Sequence, residues 1–107
     1  MSLEDQTAGL LETVKNPGMA CGQYAEMLAL YRRQDLDGLF EMITADESME
    51  SELDGLLYQR NKNWISPLEK MMKKESLFIA VGAAHLPGPE GVINLLRKKG
   101  YKVRAIE

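Results

Sequence analysis

The sequence predicts an α/β fold, in which a helical segment is followed by a C-terminal β-α-β unit with two parallel strands. Three observations carry that expectation. Leu77-Phe78-Ile79-Ala80-Val81 is short, apolar and uncharged, as a strand covered on both faces should be. A stretch rich in Gly, Ala and Pro fills residues 82–91, and Val92-Ile93-Asn94-Leu95-Leu96-Arg97-Lys98-Lys99 then reads as a helix stopped at Gly100. Residues 101–106, with Val103 and Ile106 as apolar positions, read as the second strand. A strand–helix–strand connection of this kind makes parallel strands with a right-handed crossover.

Helices account for residues 4–74. Leu3, Leu10, Leu11 and Val14 lie near helical spacing and Asn16-Pro17-Gly18 stops the run, so a first helix is expected over 4–15. A second is expected over 20–33, where Tyr24, Met27, Leu28 and Tyr31 form one apolar stripe. Asp35 can cap a third over 36–44, with Leu36, Leu39, Phe40 and Ile43 as its buried face. After a break at Thr44-Ala45-Asp46, residues 47–58 form a fourth. Its Leu53, Leu56 and Leu57 point inward, and Glu47, Glu50, Glu52 and Asp54 make a solvated face. Ser66-Pro67-Leu68-Glu69 has the form of a capping box with Pro at the first helical position. A fifth helix is therefore expected over 67–74, either separate or continuous with the preceding one through a kink at Pro67. Leu68, Met71 and Met72 would face inward, with Lys70, Lys73 and Lys74 near the C-terminus, where the helix dipole favours them.

Composition narrows the function classes. A chain of 107 residues is expected to be one domain, placed at 4–106. Met1-Ser2-Leu3 reads as a cloning scar and Glu107 as a tag remnant. A net charge of −3 and a pI near 5.2 lack the basic stripe of a nucleic-acid binder. One cysteine, Cys21, leaves no internal disulfide framework or cysteine-rich zinc knuckle, and with no histidine nearby in sequence it is no nucleophile candidate. No apolar run approaches the roughly 18 to 20 residues of a membrane span. The first six residues show no basic region or apolar core of a signal peptide, and the compartment stays open.

Two stretches carry candidate chemistry. His85, the single histidine, sits where the first strand ends and a helix is about to begin, the edge at which parallel sheets place ligands. A neutral imidazole there could ligate a metal or act as a general base, or simply bond a loop carbonyl. Gly82, Gly88 and Gly91 let the backbone approach a ligand, a helix start near Pro89 would offer N–H groups to an anion, and Glu90 could add a carboxylate. Arg60 and Asn61 could bind a carboxylate or a backbone segment, with Trp64 stacking on a ligand. The plainer alternative puts Trp64 in the core, Arg60 on a surface acid, and Asn61 or Asn63 at a helix cap. The two strands pose a further problem, because a sheet this small has unpaired edges and is marginal alone. The chain is therefore expected to be a fragment of a larger α/β sheet, or to be completed by a partner chain.

Arg60-Asn61-x-x-Trp64-x-x-x-Leu68, followed by Phe78-Ile79-Ala80-Val81-Gly82-Ala83-Ala84-His85-Leu86-x-Gly88-x-x-Gly91-Val92-x-x-Leu95-Leu96-x-x-x-Gly100-Tyr101-x-Val103, resembles the C-terminal portion of the TraB/PrgY/GumN family, which includes the Tiki proteins. The resemblance covers about residues 53–106. It implies an α/β fold whose active centre combines two Gly-x-x-His motifs, which in the Tiki branch belong to a metal-dependent protease. Gly82-Ala83-Ala84-His85 resembles the second motif; the first lies in the N-terminal half of family members and is not in this chain. Where the family often has Glu before Arg-Asn, this chain has Gln59. The resemblance makes His85 a candidate ligand of a divalent metal ion, and Arg60 and Asn61 candidate catalytic residues. The leading expectation is the C-terminal portion of a metal-dependent hydrolase acting on a peptide, not catalytic as this piece alone, with the missing N-terminal half as its partner. The alternative is a non-catalytic interaction domain that forms a homodimer through its sheet edge. A third, weaker expectation is an anion- or haem-type binder at the loop 82–91.

Overall fold

A computed structural model of the chain describes residues 2–106. They fall into two compact units, Met1–Asp35 and Leu36–Glu107.

The N-terminal unit is a pair of helices, α1 (Leu3–Lys15) and α2 (Pro17–Arg32). A capping box starts α1: the Ser2 hydroxyl accepts from the Asp5 N–H at 3.1 Å, and the Asp5 carboxylate accepts from the Ser2 N–H at 3.3 Å. Pro17 opens α2 three residues earlier than the expected 20, because its missing N–H costs nothing at the first helical position. The apolar residues of α1 are exposed: Leu3, Leu10, Leu11 and Val14 all lie in solvent. The expected stripe on α2 is also mostly exposed, at Tyr24, Met27 and Tyr31, and the buried position is Leu30. The α2 C-terminus closes with the Asp35 N–H donating to the Leu30 carbonyl at 3.0 Å across Gln34, whose φ is +59°.

The C-terminal unit begins with α3 (Leu36–Thr44), which buries Leu39 and half-buries Leu36, Phe40 and Ile43, the expected face. The Asp46 side chain accepts from the Ser48 N–H and starts a 3-10 turn at Glu47–Met49. The chain is then helical without a break over 50–72, through α4 (Glu50–Leu53), a π turn at Asp54–Tyr58 and α5 (Gln59–Met72). The wider π turn changes the facing of the residues it contains. Leu53 is buried as expected, whereas Leu56 is exposed. The Ser66 capping box does not form, and Pro67 lies inside α5. An interior proline costs about 3 kcal/mol. Keeping one helical phase buries Ile65 and Leu68 together, at roughly 1.5–3 kcal/mol each, which is enough to offset it. Met71, expected inward, is exposed. A 3-10 turn at Ala83–His85, a loop, and α6 (Val92–Lys98) follow.

The expected β-α-β unit is not formed. Residues 77–81 and 101–106 are without regular structure, and no strand or sheet exists among the described residues. The helical part of the prediction stands and the α/β part is corrected to a helical architecture. The physical reason lies in the missing neighbours. With no third strand to support them, two such segments gain too few ladder hydrogen bonds to hold a sheet.

Candidate functional site

Asn61 organises the site. It shares a face of α5 with Ile65 and Leu68, at i, i+4 and i+7, and so occupies a core position as an amide, 1% exposed. A buried amide must spend its hydrogen bonds within the protein, and Asn61 spends them on the loop 24 to 29 residues away. Its Nδ2 donates to the Glu90 carbonyl at 2.9 Å and, more weakly, to the His85 carbonyl at 3.3 Å. Its Oδ1 lies 2.7 Å from His85 Nδ1. The next residue, Lys62, places Nζ 2.9 Å from Glu90 Oε2, so Asn61 and Lys62 hold the backbone and the side chain of the same glutamate. That pairing lowers the Glu90 carboxyl below its ordinary range through the Lys62 hydrogen bond.

The imidazole of His85 sits between Asn61 and Trp64. The Trp64 and His85 ring centroids are 4.7 Å apart at a tilt of 43°, and the Arg60 guanidinium lies over the Trp64 ring at 5.5 Å from its centroid. Arg60 is exposed. Burial of the ring, assisted by the Arg60 charge, pushes the His85 pKa below its ordinary value, so the ring is neutral at neutral pH. A 3-10 turn positions His85, with its N–H donating to the Gly82 carbonyl at 3.0 Å. A second clamp closes the far side of the unit: the Tyr101 hydroxyl donates to Glu69 Oε2 at 3.4 Å, and Lys99 Nζ lies 3.9 Å from Glu69 Oε1.

Arg60 and Asn61, adjacent on α5, thus come together with His85, 24 residues further on, Asn61 by direct contact and Arg60 across the Trp64 ring. The three glycines divide. Gly88 has φ +85°, and a Cβ there would lie 2.5 Å from the Phe40 ring; a Cβ at Gly91 would lie 2.2 Å from the Pro87 carbonyl oxygen. Both positions require glycine to let the loop pack. At Gly82 a Cβ would make only ordinary contact with the His85 ring, 3.6 Å from Cδ2, so packing does not require glycine there. Glu90, a carboxylate candidate, is paired with Lys62. The helix start expected near Pro89 falls at Val92, where Gly91 and Val92 are both buried. A groove of about 560 Å³ in the same unit is lined by Leu36, Leu86, Pro87, Ile93, Arg97 and Val103 and includes none of the three site residues. Sequence reading missed Lys62 and the core role of Asn61. The 61/65/68 spacing carries the second signal; the first depends on where the loop lands.

For a divalent ion, the site contributes one nitrogen ligand. Among the described residues no group of three or more His, Cys, Asp or Glu side chains comes together as a ligand set. The chemistry of the single donor does fit a metal: a half-buried neutral imidazole whose Nδ1 is engaged by a second residue is the arrangement that orients a ligating histidine.

The TraB/PrgY/gumN family model matches residues 1–105, nearly the whole chain. The chain belongs to this family. The match takes in the helices of residues 1–52, for which no motif is recognisable, as well as the two blocks that meet at Asn61 and His85. Neither the curated proteins nor the solved structures gave a match. None of the described helices is long and apolar enough to cross a membrane.

Proposed function

We propose that this TraB/PrgY/gumN family chain supplies the histidine side of a metal-dependent hydrolase site acting on peptide bonds, with further ligands contributed by another part of the protein. The observation that carries the reading is the buried hydrogen bond between Asn61 Oδ1 and His85 Nδ1 at 2.7 Å, which ties the Arg-Asn block to the Gly-x-x-His turn. His85 would hold the ion through its ring, and the ion would supply Lewis-acid polarisation of a carbonyl and a more acidic water. Arg60, exposed and held over Trp64, stabilises negative charge developing on the substrate oxygen. Asn61 holds the imidazole in place, and Gly82 sets bare backbone beside the ring, where a Cβ would lie 3.6 Å from His85 Cδ2. Calorimetric titration with Zn²⁺, Mn²⁺ and Co²⁺, on the protein with the part that contributes the further ligands present, tests the assignment. Binding that weakens by about tenfold or more in His85→Ala supports it, and equal affinity in the two proteins removes it.

A second reading has its own observation. Phe78 is 96% exposed within the uncharged apolar run 77–81. Water-exposed apolar runs of this kind mark contact surfaces, and the chain would then be a non-catalytic domain that self-associates through this run. Light scattering over a concentration series distinguishes the readings: Phe78→Ser should abolish a dimer, and a monomer at all concentrations discards this one.

A further inference from the structure

We infer that Asn61 is a positioning residue that locks His85 in the Nδ1–H tautomer, so that Nε2 is the ring's donor atom. The inference rests on the hydrolase reading only for the use made of Nε2; the tautomer itself follows from hydrogen-bond bookkeeping.

The side-chain amide of Asn61 has one end that only donates and one that only accepts. Two carbonyl oxygens, those of Glu90 at 2.9 Å and His85 at 3.3 Å, converge on one end. Carbonyl oxygens only accept, so that end is Nδ2. Turning the amide over would set Oδ1 against both carbonyls in a site with 1% exposure, leaving three buried acceptors with no donor between them. The other end is therefore Oδ1, which has no hydrogen to give. The 2.7 Å contact with His85 Nδ1 must then carry its proton on the ring. With the ring neutral, a proton on Nδ1 leaves the Nε2 lone pair free. An unconstrained neutral histidine prefers the opposite form, with the proton on Nε2, so the lock reverses an intrinsic preference. Trp64, 4.7 Å from the ring, restricts its rotation and keeps Nε2 in one direction.

The chain of cause runs from the core face of α5 to one nitrogen. Asn61 replaces an apolar residue in the 61/65/68 row, the loop carbonyls fix its amide, and the amide fixes the tautomer. An amide oxygen accepting from Nδ1–H in this way also raises the basicity of the free nitrogen.

Because His85 is the single histidine, protein labelled with ¹⁵N-histidine gives one ring spectrum with no assignment problem. Two-bond ¹H–¹⁵N correlations on the intact chain at pH 8 report which nitrogen carries the proton. The expected result is a protonated Nδ1 and an unprotonated Nε2; an Nε2–H spectrum, or one averaged between the forms, overturns the inference. Two variants separate positioning from mere support of the fold. Asn61→Asp keeps an acceptor for Nδ1–H but has no donor for the carbonyls, and Asn61→Ala has neither. The lock predicts Nδ1–H in Asn61→Asp and a shift toward Nε2–H in Asn61→Ala. Identical ring spectra in two folded variants contradict it, and if neither folds the wild-type spectrum alone decides. Adding Zn²⁺ then addresses the other reading separately. A change confined to the Nε2 resonance agrees with both, whereas a change at Nδ1 with Nε2 untouched removes the metal assignment after the metal-free spectrum has already decided the tautomer.

Discussion

The two units of this chain use helices in opposite ways. In the N-terminal unit, α1 carries no buried residue and α2 buries only Leu30, so its helices rest on local chemistry: the Ser2–Asp5 capping box, the proline start at Pro17 and the cap at Gln34. In the C-terminal unit the long helical run over 50–72 is held by distant groups. Ile65 and Leu68 bury apolar surface, and Asn61, Lys62 and Glu69 reach the loop and the chain end. Local devices contribute tenths of a kcal/mol to about 1 kcal/mol each. Burial and buried hydrogen bonds contribute several times that per residue. Substitutions should therefore be much costlier in the second unit, where the candidate residues Arg60, Asn61 and His85 lie.

The largest effect is expected at Asn61. Asn61→Leu keeps the volume roughly constant but strands two carbonyls and the His85 ring N–H, and should lower stability in urea by about 3–5 kcal/mol. The contrasting change, Leu10→Ala on exposed α1, should stay within about 0.5 kcal/mol. Equal losses from the two would erase the distinction between the units. Next in size is Gly91→Ala, whose Cβ would meet the Pro87 and Leu86 carbonyl oxygens at 2.2 and 2.3 Å. Relieving that overlap should cost about 2–3 kcal/mol, whereas the same change at Gly82, with only a 3.6 Å contact to the His85 ring, should be nearly neutral. Both comparisons need only a midpoint of urea unfolding.

The same contrast explains what could be read from the sequence. Helix existence was legible throughout, since α1, α3 and α6 fall within a residue or so of their expected bounds. Their signals are local: periodicity, Asn16-Pro17 and Gly100. Burial was legible for Leu39, Leu53 and Leu68 but not for Leu10 or Tyr24, because periodicity shows that a helix is amphipathic and not whether anything covers it. The β-α-β expectation failed for the opposite reason. An uncharged apolar run states a preference for strand, and the preference is realised only when neighbours supply a ladder. At the site, Arg60, Asn61 and His85 could be named from their residue types and from the family pattern. That Asn61 lies in the core and bonds the His85 ring and the Glu90 carbonyl required knowing where residues 85 and 90 land.

Acid should weaken the C-terminal unit in two separate steps. The folded His85 has a lowered pKa, from burial first and the Arg60 charge second. Between that value and about 6.5, where an unfolded histidine titrates, the unfolded state binds the extra proton. The stabilisation is therefore complete above the unfolded value and declines as pH falls toward the folded one. Glu90, lowered mainly by Lys62, adds a second loss at more acidic pH, below its ordinary value of 4.5. Urea midpoints between pH 7.5 and 5 should fall with pH, and His85→Asn should flatten that upper window while leaving the acid one. A slope unchanged by His85→Asn would place the proton uptake elsewhere.

The smallest effect is the sharpest comparison, because the two units end a helix in the same way with different residues. At the end of α2, the Asp35 N–H bonds the Leu30 carbonyl at 3.0 Å across Gln34 with φ +59°. At the end of α6, the Tyr101 N–H bonds the Leu96 carbonyl at 3.1 Å across Gly100 with φ +96°. Both are left-handed caps of the kind that favours glycine. A side chain in that conformation costs about 1–2 kcal/mol, partly offset by the greater entropy a glycine loses on folding. Gln34→Gly should thus stabilise the N-terminal unit by about 0.5 kcal/mol, and Gly100→Ala should destabilise the C-terminal one by about 1 kcal/mol. Hydrogen exchange at the Asp35 and Tyr101 amides reads each cap directly: the first should slow in Gln34→Gly and the second quicken in Gly100→Ala. If Gln34→Gly instead speeds exchange at Asp35, the glutamine side chain stabilises its own cap, and the N-terminal unit holds a contact beyond the backbone bond that closes the α6 end.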